Sequence, residues 1–382
     1  MNASCSVSGS KGLTVDSPLP QNLLPKENRR LRMAVLGAGL IAQSAHLEAC
    51  RKARNVELYA LCDAAPDLVA KVAAVFEPAK TFTDYGALLE DMGVEAVIIA
   101  IADQFHVAAA IQALERGKHV LIEKPLGVNV AEGERLRHSV RAHPGLHLQV
   151  GTMRRYDPGI AFAHAFIRDE IGALLALKAW YCDSVYRYQE TNTLHPLILS
   201  SAGALRPPGN PKSAKFPYYL LGHGSHLVDT ARFLGGELLA VRAEYREKFG
   251  AHCWFVSVEF ANGAIGHLDL TIPVRMEWHE GFQVYGEHGS VVAKSFNPWY
   301  FKASEVECFS THDGQYHRLL GADGHTFRRQ VEGFADSVLH HAPATGAGID
   351  DGVAALQALS AISQSARNGG ERVLVAEAAG EI

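Results

Sequence analysis

Cysteine is scarce in this chain and forms no recognisable metal or disulfide pattern. Its 6 cysteines are scattered through 382 residues without a CxxC pair, which favours reduced thiols and a cytoplasmic location over a zinc knuckle or a disulfide framework. The chain also lacks an excess of basic residues, because its formal net charge is −5; we therefore expect no nucleic-acid partner. No uninterrupted apolar run is long enough to span a bilayer, so we expect no membrane association.

Residues 1–30 lack the continuous apolar core of a secretory signal, because Pro18, Pro20 and Pro25 interrupt them. We predict a flexible tail over this segment, or an arm that packs on a neighbouring subunit. The whole chain is 48% hydrophobic and 20% charged, an ordinary globular composition, and it is long enough for two domains. We predict one domain over residues 31–150 and a second over residues 151–382.

The sequence GAGLIA at residues 37–42 follows a short apolar run and precedes a helical apolar periodicity. In such a strand–turn–helix unit, Gly37 permits the tight turn and Gly39 lets the backbone approach a pyrophosphate. The amide groups and positive dipole end of the helix then face the phosphates. A second strand, predicted over residues 56–62, ends at Asp63, whose carboxylate is placed to accept hydrogen bonds from an adenine ribose. The pattern predicts a dinucleotide site, and Asp63 favours NAD over NADP.

Strand and helix patterns alternate from residue 31 to residue 150, which indicates a parallel sheet. Lys124 and the loop over residues 102–106 follow predicted strands, at the edge where open α/β sheets bind ligands. The second half reads as five strands joined by Gly and Asn turns, with long helices over residues 226–234, 327–340 and 352–367. The predicted fold class is α/β: a Rossmann dinucleotide-binding domain followed by an α+β domain with a large antiparallel sheet.

Four further segments carry a family resemblance: GKHVLIEKP at residues 117–125, VGTMRRYDP at 150–158, GSHLVD at 224–229 and VYGEHGS at 284–290. Together with the glycine turn, they resemble the glucose–fructose oxidoreductase, inositol dehydrogenase and rhizopine-catabolism family, abbreviated Gfo/Idh/MocA. The resemblance covers nearly everything after the tail. It implies two domains that meet at a nicotinamide, and substrates that are mostly sugars, cyclitols and their derivatives.

The resemblance also implies roles for individual residues. Lys124 and His226 are expected to be catalytic, contacting the reacting hydroxyl or ketone. Substrate binding is assigned to Arg155, Tyr156, His223 and Asp229. Cofactor binding is assigned to Gly37, Gly39, Leu40, Ile41, Asp63, Ala100, His106, Glu123 and Lys124. The chemistry makes compatible demands, because a histidine has a suitable pKa for a general base and a lysine can stabilise charge that develops on the substrate oxygen.

Two positions depart from the family pattern. The family usually has Asp four residues before the catalytic histidine, where this chain has Gly222, and the neighbouring His223 can face the same pocket. The family's Thr-Pro or Ser-Pro after the strand over residues 97–100 is replaced by Ile101 and Ala102. Both positions lie where the substrate and the nicotinamide are expected to meet.

Three functions are consistent with these features. The first is an NAD(H)-dependent oxidoreductase acting on a secondary hydroxyl or ketone of a sugar, cyclitol or related polyol. The second is a redox-neutral enzyme that holds NAD tightly and oxidises a carbon transiently, for elimination, hydrolysis or epimerisation. The third is a non-catalytic dinucleotide sensor. A metal site formed by His195, His223 and His226, with Asp229 as an optional fourth ligand, matches no zinc signature, and we predict no metal.

A homodimer or homotetramer is expected, because an antiparallel sheet with helices on one side leaves its other face uncovered. We assign alternating apolar positions to that face: Val256, Val258, Phe260, Leu268 and Leu270. The family that the chain resembles commonly pairs subunits through this face.

Overall fold

The computed structural model describes residues 29–187, 189, 194, 198–208, 211–380 and 382. Its first sheet has 6 parallel strands in the order β3-β2-β1-β4-β5-β6. The strands are β1 (Leu31–Leu36), β2 (Val56–Cys62), β3 (Lys80–Phe82), β4 (Ala96–Ile99), β5 (His119–Ile122) and β6 (Leu148–Val150). The order reverses between β1 and β4, which opens a crevice at the carboxyl ends of these two strands. The predicted Rossmann arrangement is confirmed.

Helices connect these strands and cover both faces of the sheet. They are α1 (Leu47–Lys52), α2 (Pro66–Phe76), α3 (Tyr85–Glu90), α4 (His106–Glu115) and α5 (Val130–Ala142). A π-helical segment, Ala42–His46, lies between the glycine turn and α1. Because β4 is buried along its whole length, its apolar sequence matches the two-sided burial that a central parallel strand requires.

The second sheet has 9 strands in the order β14-β13-β12-β11-β7-β10-β9-β8-β15. They are β7 (Leu174–Ser184), β8 (Leu238–Lys248), β9 (Ala251–Phe260), β10 (Ile265–Val274), β11 (His279–Gly286), β12 (Gly289–Ser295), β13 (Glu305–Ser310), β14 (Gln315–Arg318) and β15 (Val373–Leu374). The large antiparallel sheet is confirmed with one difference. β7 lies in the middle of the sheet and pairs in parallel with β10, because the first strand of the domain is flanked by strands that come later in the chain.

The later helices are α6 (Pro158–Asp169), α7 (Lys215–Gly222), α8 (Gly224–Gly235), α9 (Thr326–His340) and α10 (Ile349–Arg367). α8 and α10 pack on one face of the second sheet. α9 instead shares a hydrophobic core with the first sheet through Phe327, Val331, Phe334 and Ala335. The chain therefore returns to the first domain late in its sequence, and a division at residue 150 stays a prediction. Within the described part of the chain, no helix has both the length and the apolarity to cross a membrane.

The assignment of Val256, Val258, Phe260, Leu268 and Leu270 to an uncovered sheet face is wrong. All five are at most 2% exposed, because this side of β9 and β10 packs under the helices and forms the core of the second domain. The opposite parity faces outward, with Phe255, Ile265 and Val292 among its exposed apolar side chains.

Candidate active site

The glycine turn lies at the crevice between β1 and β4. Gly37 has a φ of +100°, and a Cβ at this position would lie 2.4 Å from the carbonyl oxygen of Ala100. Only glycine satisfies both conditions. A Cβ at Gly39 would meet nothing within 4 Å, so the space in front of the helix start is open. This open cradle fits the pyrophosphate of a dinucleotide.

The carboxylate of Asp63 closes this turn from the end of β2. Its Oδ2 accepts the Ala38 N–H at 2.9 Å and its Oδ1 accepts the Ala65 N–H at 3.0 Å. Each carboxylate oxygen has a second lone pair, so both can still accept hydrogen bonds from a ribose diol. At the same edge, Leu40 is half-exposed at the start of the helix, and Ile41 lines the cavity described below.

Lys124 projects from the loop after β5 toward the second domain. Its Nζ donates a hydrogen bond to the carbonyl oxygen of Gly222 at 2.7 Å. Burial lowers the pKa of Lys124, with the carboxylates of Glu123 and Asp103 acting in the opposite direction. An ammonium has three donors, so two remain for a ligand in the crevice.

His106 holds two loops of this edge together. Its Nδ1 lies 2.8 Å from the Pro125 carbonyl oxygen and its Nε2 lies 3.1 Å from the Ile101 carbonyl oxygen. The ring is buried. The geometry therefore favours a supporting role for His106 beneath the lysine loop over direct contact with a cofactor.

A buried imidazole–carboxylate pair lies directly behind the lysine. His46 Nε2 is 2.7 Å from Glu123 Oε1, and Glu123 Oε2 accepts the backbone N–H of Lys124. Burial raises the pKa of Glu123, but the contact with His46 and the charge of Lys124 outweigh it, so the net shift is downward. Glu123 is thus held as a carboxylate. His46 also meets the ring of Phe327 edge-on, at 6.0 Å between ring centroids.

A cavity of about 120 Å³ lies between the lysine loop and the second domain. Its lining includes Lys124, Arg187, His223 and His226 together with a set of aromatic side chains, Tyr181, Trp278, Trp299 and Phe327. Tyr181 stacks parallel to His226 at 5.6 Å, and Trp299 stacks on Phe327 at 5.3 Å. The cavity is thus lined by aromatic rings on one hand and by titratable or charged side chains on the other.

The two histidines at the start of α8 have different neighbours. His223 Nδ1 lies 3.6 Å from Asp183 Oδ2 and 3.4 Å from the Tyr181 hydroxyl. Asp183 also forms an ion pair with Arg187 at 2.5 Å. Burial, together with the charge of Lys124, lowers the pKa of both histidines well below the usual range. Both rings are therefore neutral at pH 7 and can accept a proton.

Three residues predicted to bind substrate lie outside this cavity. Arg155 is buried and pairs with Asp229 at 2.7 Å and with Asp351 at 3.1 Å. The Tyr156 hydroxyl donates to Gln149 Oε1 at 2.9 Å. These partners occupy the polar atoms of Arg155, Tyr156 and Asp229, so the geometry favours a structural role at the junction of α6, α8 and α10.

A larger open groove of about 710 Å³ lies between α5, α8 and α10. Its lining includes Arg137, Arg232, Glu237 and Asp350, but neither the glycine turn nor Lys124. Cations and carboxylates there already pair with each other. The smaller cavity is therefore the better candidate for chemistry. Over the described ranges, no group of three His, Cys, Asp or Glu side chains is placed to hold a metal, and His195 lies outside those ranges.

The fold and the cradle define an NAD-binding oxidoreductase. The model "Oxidoreductase family, NAD-binding Rossmann fold" matches residues 31–152, and the model "GFO/IDH/MocA C-terminal domain" matches residues 208–292. Together the two matches span more than half of the chain, which belongs to the Gfo/Idh/MocA family.

Individual relatives agree with this membership. An inositol 2-dehydrogenase of Acidothermus cellulolyticus is 27% identical over 71% of this chain and 75% of its own length. A levoglucosan dehydrogenase of Pseudarthrobacter phenanthrenivorans is 26% identical over 61% of this chain, which covers 63% of that protein. The solved structure of a levoglucosan dehydrogenase in complex with NADH and levoglucosan has a TM-score of 0.73 at 21% identity, and the match covers 91% of this chain and all of that one. At this identity the structural match shows a shared fold.

Several residues of the cavity were missed by sequence reasoning. Asp183 and Arg187 lie at and just beyond the end of β7, and Trp278 and Trp299 lie in connections between later elements. The polar residues that end β7 were the available signal, because strand ends of the second sheet face the first domain. His46 had no signal, because its position depends on the π-helical winding.

Proposed function

We propose that this NAD-dependent oxidoreductase interconverts a secondary hydroxyl and a ketone on a sugar, cyclitol or related polyol. The observation that supports it is the convergence of Lys124, His223 and His226 on one cavity that also borders the glycine turn. The Lys124 Nζ is anchored on the carbonyl oxygen of the residue before His223, so the three groups keep a fixed spacing.

The proton and the charge are handled by side chains of this chain. In the oxidation direction, bound NAD supplies the hydride acceptor. Lys124 donates a hydrogen bond to the substrate oxygen and stabilises negative charge on it. A neutral histidine of α8 accepts the hydroxyl proton, and His226 is the candidate that the sequence indicates. The carbon thereby loses a hydride and the oxygen a proton, which leaves a ketone.

The aromatic lining supports a cyclic substrate. Trp278 packs edge-on against Tyr181 at 5.0 Å, and Trp299 offers a second ring at the cavity. Such faces can pack against the C–H groups of a sugar or cyclitol ring. Relatives are named for such compounds, inositol and levoglucosan, which supports the same substrate class for this chain.

The test is incubation with NAD and a panel of cyclic polyols, followed at the absorbance of reduced nicotinamide. Inositols, anhydrosugars and aldoses form the panel, and NADP with the same panel is the cofactor control. Reduction of NAD by at least one member supports the proposal. Binding of NAD without turnover of any member, in both directions, would instead favour the sensor.

One observation favours the redox-neutral alternative. The side-chain amide of Gln43, behind the glycine turn, exchanges hydrogen bonds with the backbone of Leu199, donating to its carbonyl oxygen and accepting its N–H, each at 2.9 Å. Nearby, the Ser201 hydroxyl bonds Asp67 on α2 at 2.6 Å. The segment containing Leu199 and Ser201 is therefore hydrogen-bonded to the cofactor domain at two places, the helix start behind the glycine turn and α2. We call this pair of contacts the clasp. If the clasp retains NAD, the purified protein will carry cofactor through gel filtration.

We also propose a cytoplasmic homo-oligomer. The 5 cysteines in the described ranges form no disulfide, which is consistent with a reducing compartment. The outward face of the second sheet exposes Phe255, Ile265 and Val292, an apolar area that a second copy would cover. Light scattering at micromolar concentration tests this state, and a mass near the 41.4 kDa of one chain would contradict it.

A further inference from the structure

We infer that His223 is the proton acceptor of the reaction and that Asp183, on strand β7, is its positioning carboxylate. This inference rests on the proposed function for the reaction itself. It replaces His226 as the leading candidate and assigns a role to a residue of a different structural element.

The first argument is the fixed orientation of the His223 ring. Tyr181 and Asp183 are two residues apart on β7, so both side chains point to the same face of the sheet. Both lie opposite Nδ1 of His223, at 3.4 and 3.6 Å. A neutral imidazole carries one N–H. With that hydrogen on Nδ1, directed at the carboxylate and the phenol, Nε2 is left as the acceptor.

The second argument is charge. A base that accepts a proton becomes an imidazolium, which a neighbouring carboxylate stabilises. Asp183 supplies that carboxylate to His223. Within the described ranges no carboxylate lies within ion-pair distance of His226, and its pKa is lowered by burial and by the charges of Lys124, Arg154 and His223. Of the two histidines, His223 is thus the one whose protonated form faces a carboxylate within the described ranges, against the charges of Lys124 and Arg187 that oppose its protonation.

The third argument is the use made of Gly222. A Cβ at this position would meet nothing within 4 Å, so the helix has room for a side chain but provides none. Its carbonyl oxygen holds Lys124 instead. The helix thus positions the lysine, and the strand provides the carboxylate.

Other groups face His223 from every neighbouring element: Tyr181, Asp183 and Arg187 from β7 and its extension, Lys124 from the lysine loop, Tyr218 and Tyr219 from α7, and His226 from α8. Among these, Lys124 and Arg187 are the cations and Asp183 is the carboxylate. Loss of Asp183 and loss of Arg187 must therefore shift the ionisation of His223 in opposite directions.

The balance of the step is simple. The O–H bond of the substrate breaks and its proton goes to Nε2 of His223. The C–H electron pair leaves as hydride to the oxidised nicotinamide, and the C–O bond becomes a carbonyl. The imidazolium that results faces the Asp183 carboxylate until the proton passes to solvent.

The test compares kcat/KM against pH for polyol oxidation in the wild type, Asp183→Asn, Arg187→Gln, His223→Gln and His226→Gln. Asp183→Asn should lower the maximal rate roughly 10- to 100-fold, since a neighbouring opposite charge is worth about one to two pKa units. The rising limb of the profile should move to lower pH, because a base without its carboxylate loses its proton more readily. Arg187→Gln should move that limb to higher pH. His223→Gln should cost about 10²–10⁴-fold, the range for a lost general base, and more than His226→Gln.

The matched control is Asp269→Asn. Asp269 lies on β10 beside β7 in the same sheet, opposite Trp180 in the register and therefore on the other face, so its loss should leave the profile in place. Asp183→Glu should recover part of the lost rate because it restores the carboxylate.

Three outcomes would overturn the inference. One is an unshifted profile in Asp183→Asn. Another is a shift of Asp183→Asn and Arg187→Gln in the same direction, which would mean that Asp183 acts only by holding Arg187. The last is a greater loss in His226→Gln than in His223→Gln. If no polyol reduces NAD at all, the proposed function fails on its own. The tautomer of His223, read from ¹⁵N shifts of the NAD complex in the wild type and Asp183→Asn, then still decides the role of Asp183.

Discussion

Replacing Lys124 by Met keeps most of the length of the side chain and removes its ammonium. In the wild type, one donor of this group is used on the Gly222 carbonyl oxygen at 2.7 Å, which aims the other two at the cavity. A preorganised donor to a developing oxyanion contributes about 10²–10³-fold in kcat, or roughly 2.7–4 kcal/mol. We therefore expect Lys124→Met to lose at least about 10²-fold in kcat.

The same substitution has a second, separable effect on the pH profile. The charge of Lys124 lowers the pKa of both His223 and His226. Its removal should raise the pKa of the proton acceptor, so the rising limb of kcat/KM for oxidation should move to higher pH. Affinity for NAD should change little, because the pyrophosphate lies on the backbone of the glycine turn.

The assay combines steady-state rates over pH with NAD titration by calorimetry. Lys118→Met is the matched control: Lys118 is a buried lysine at the other end of β5, with its Nζ on the carbonyl oxygens of Asp91 and Val94. It should lower the melting temperature without the loss in kcat. A Lys124→Met enzyme with near-normal kcat, or one that loses NAD affinity in proportion to rate, would refute the reasoning.

Three further predictions concern the cofactor domain. Asp63→Ala should reduce the preference for NAD over NADP by roughly 10- to 100-fold, since hydrogen bonds to a charged group contribute about 1.5–3 kcal/mol. The measurement is the ratio of the dissociation constants of the two cofactors at one salt concentration. An unchanged ratio would indicate that Asp63 only stabilises the glycine turn. Gln43→Ala should speed NADH dissociation about 10-fold by removing the amide contacts with Leu199, and stopped-flow fluorescence would contradict the clasp if the rate stays the same. Gly37→Ala should destabilise the fold by more than about 2 kcal/mol, because a left-handed backbone conformation alone costs roughly 1–2 kcal/mol for a residue with a Cβ. The carbonyl oxygen of Ala100 also lies in the path of the added Cβ. A free energy of unfolding equal to that of the wild type in a denaturant titration would exclude this destabilisation.

The cofactor domain could be predicted from sequence in detail. The strand over residues 56–62 was predicted with its observed bounds, and the alternation of strands and helices predicted from residue 31 to residue 150 forms one parallel sheet. Buried parallel strands and their helices are specified by local periodicity and by glycine positions. The second sheet was predicted less completely, because β12, β13 and β14 are short strands whose pairing depends on distant partners. The parallel pairing of β7 with β10 is likewise set by topology, which local pattern does not carry.

The candidate site, like the fold, could be predicted only in part from the sequence. Lys124 and His226 were predicted, since each belongs to a compact segment with a recognisable sequence. His223 was predicted from its position three residues before His226. Arg155, Tyr156 and Asp229 lie in such segments too, yet their polar atoms are taken by buried partners from α10 and β6. Sequence shows which residues can bind a ligand, but not which of them the fold has already paired. The reverse holds for Asp183, whose value depends on a helix some forty residues later in the chain.

The π-helical winding of Ala42–His46 ties the phosphate cradle to the lysine loop. In this segment the Leu47 N–H reaches back to the Ala42 carbonyl, so the turn holds one residue more than an α-helix would. Removing one residue there would rotate His46 by about 100° and turn its ring away from Glu123. The Glu123 carboxylate would then remain buried without its imidazole partner and would take up a proton. The length of this short segment therefore couples phosphate binding at the glycine turn to the ionisation of Glu123, the buried carboxylate behind the reactive lysine.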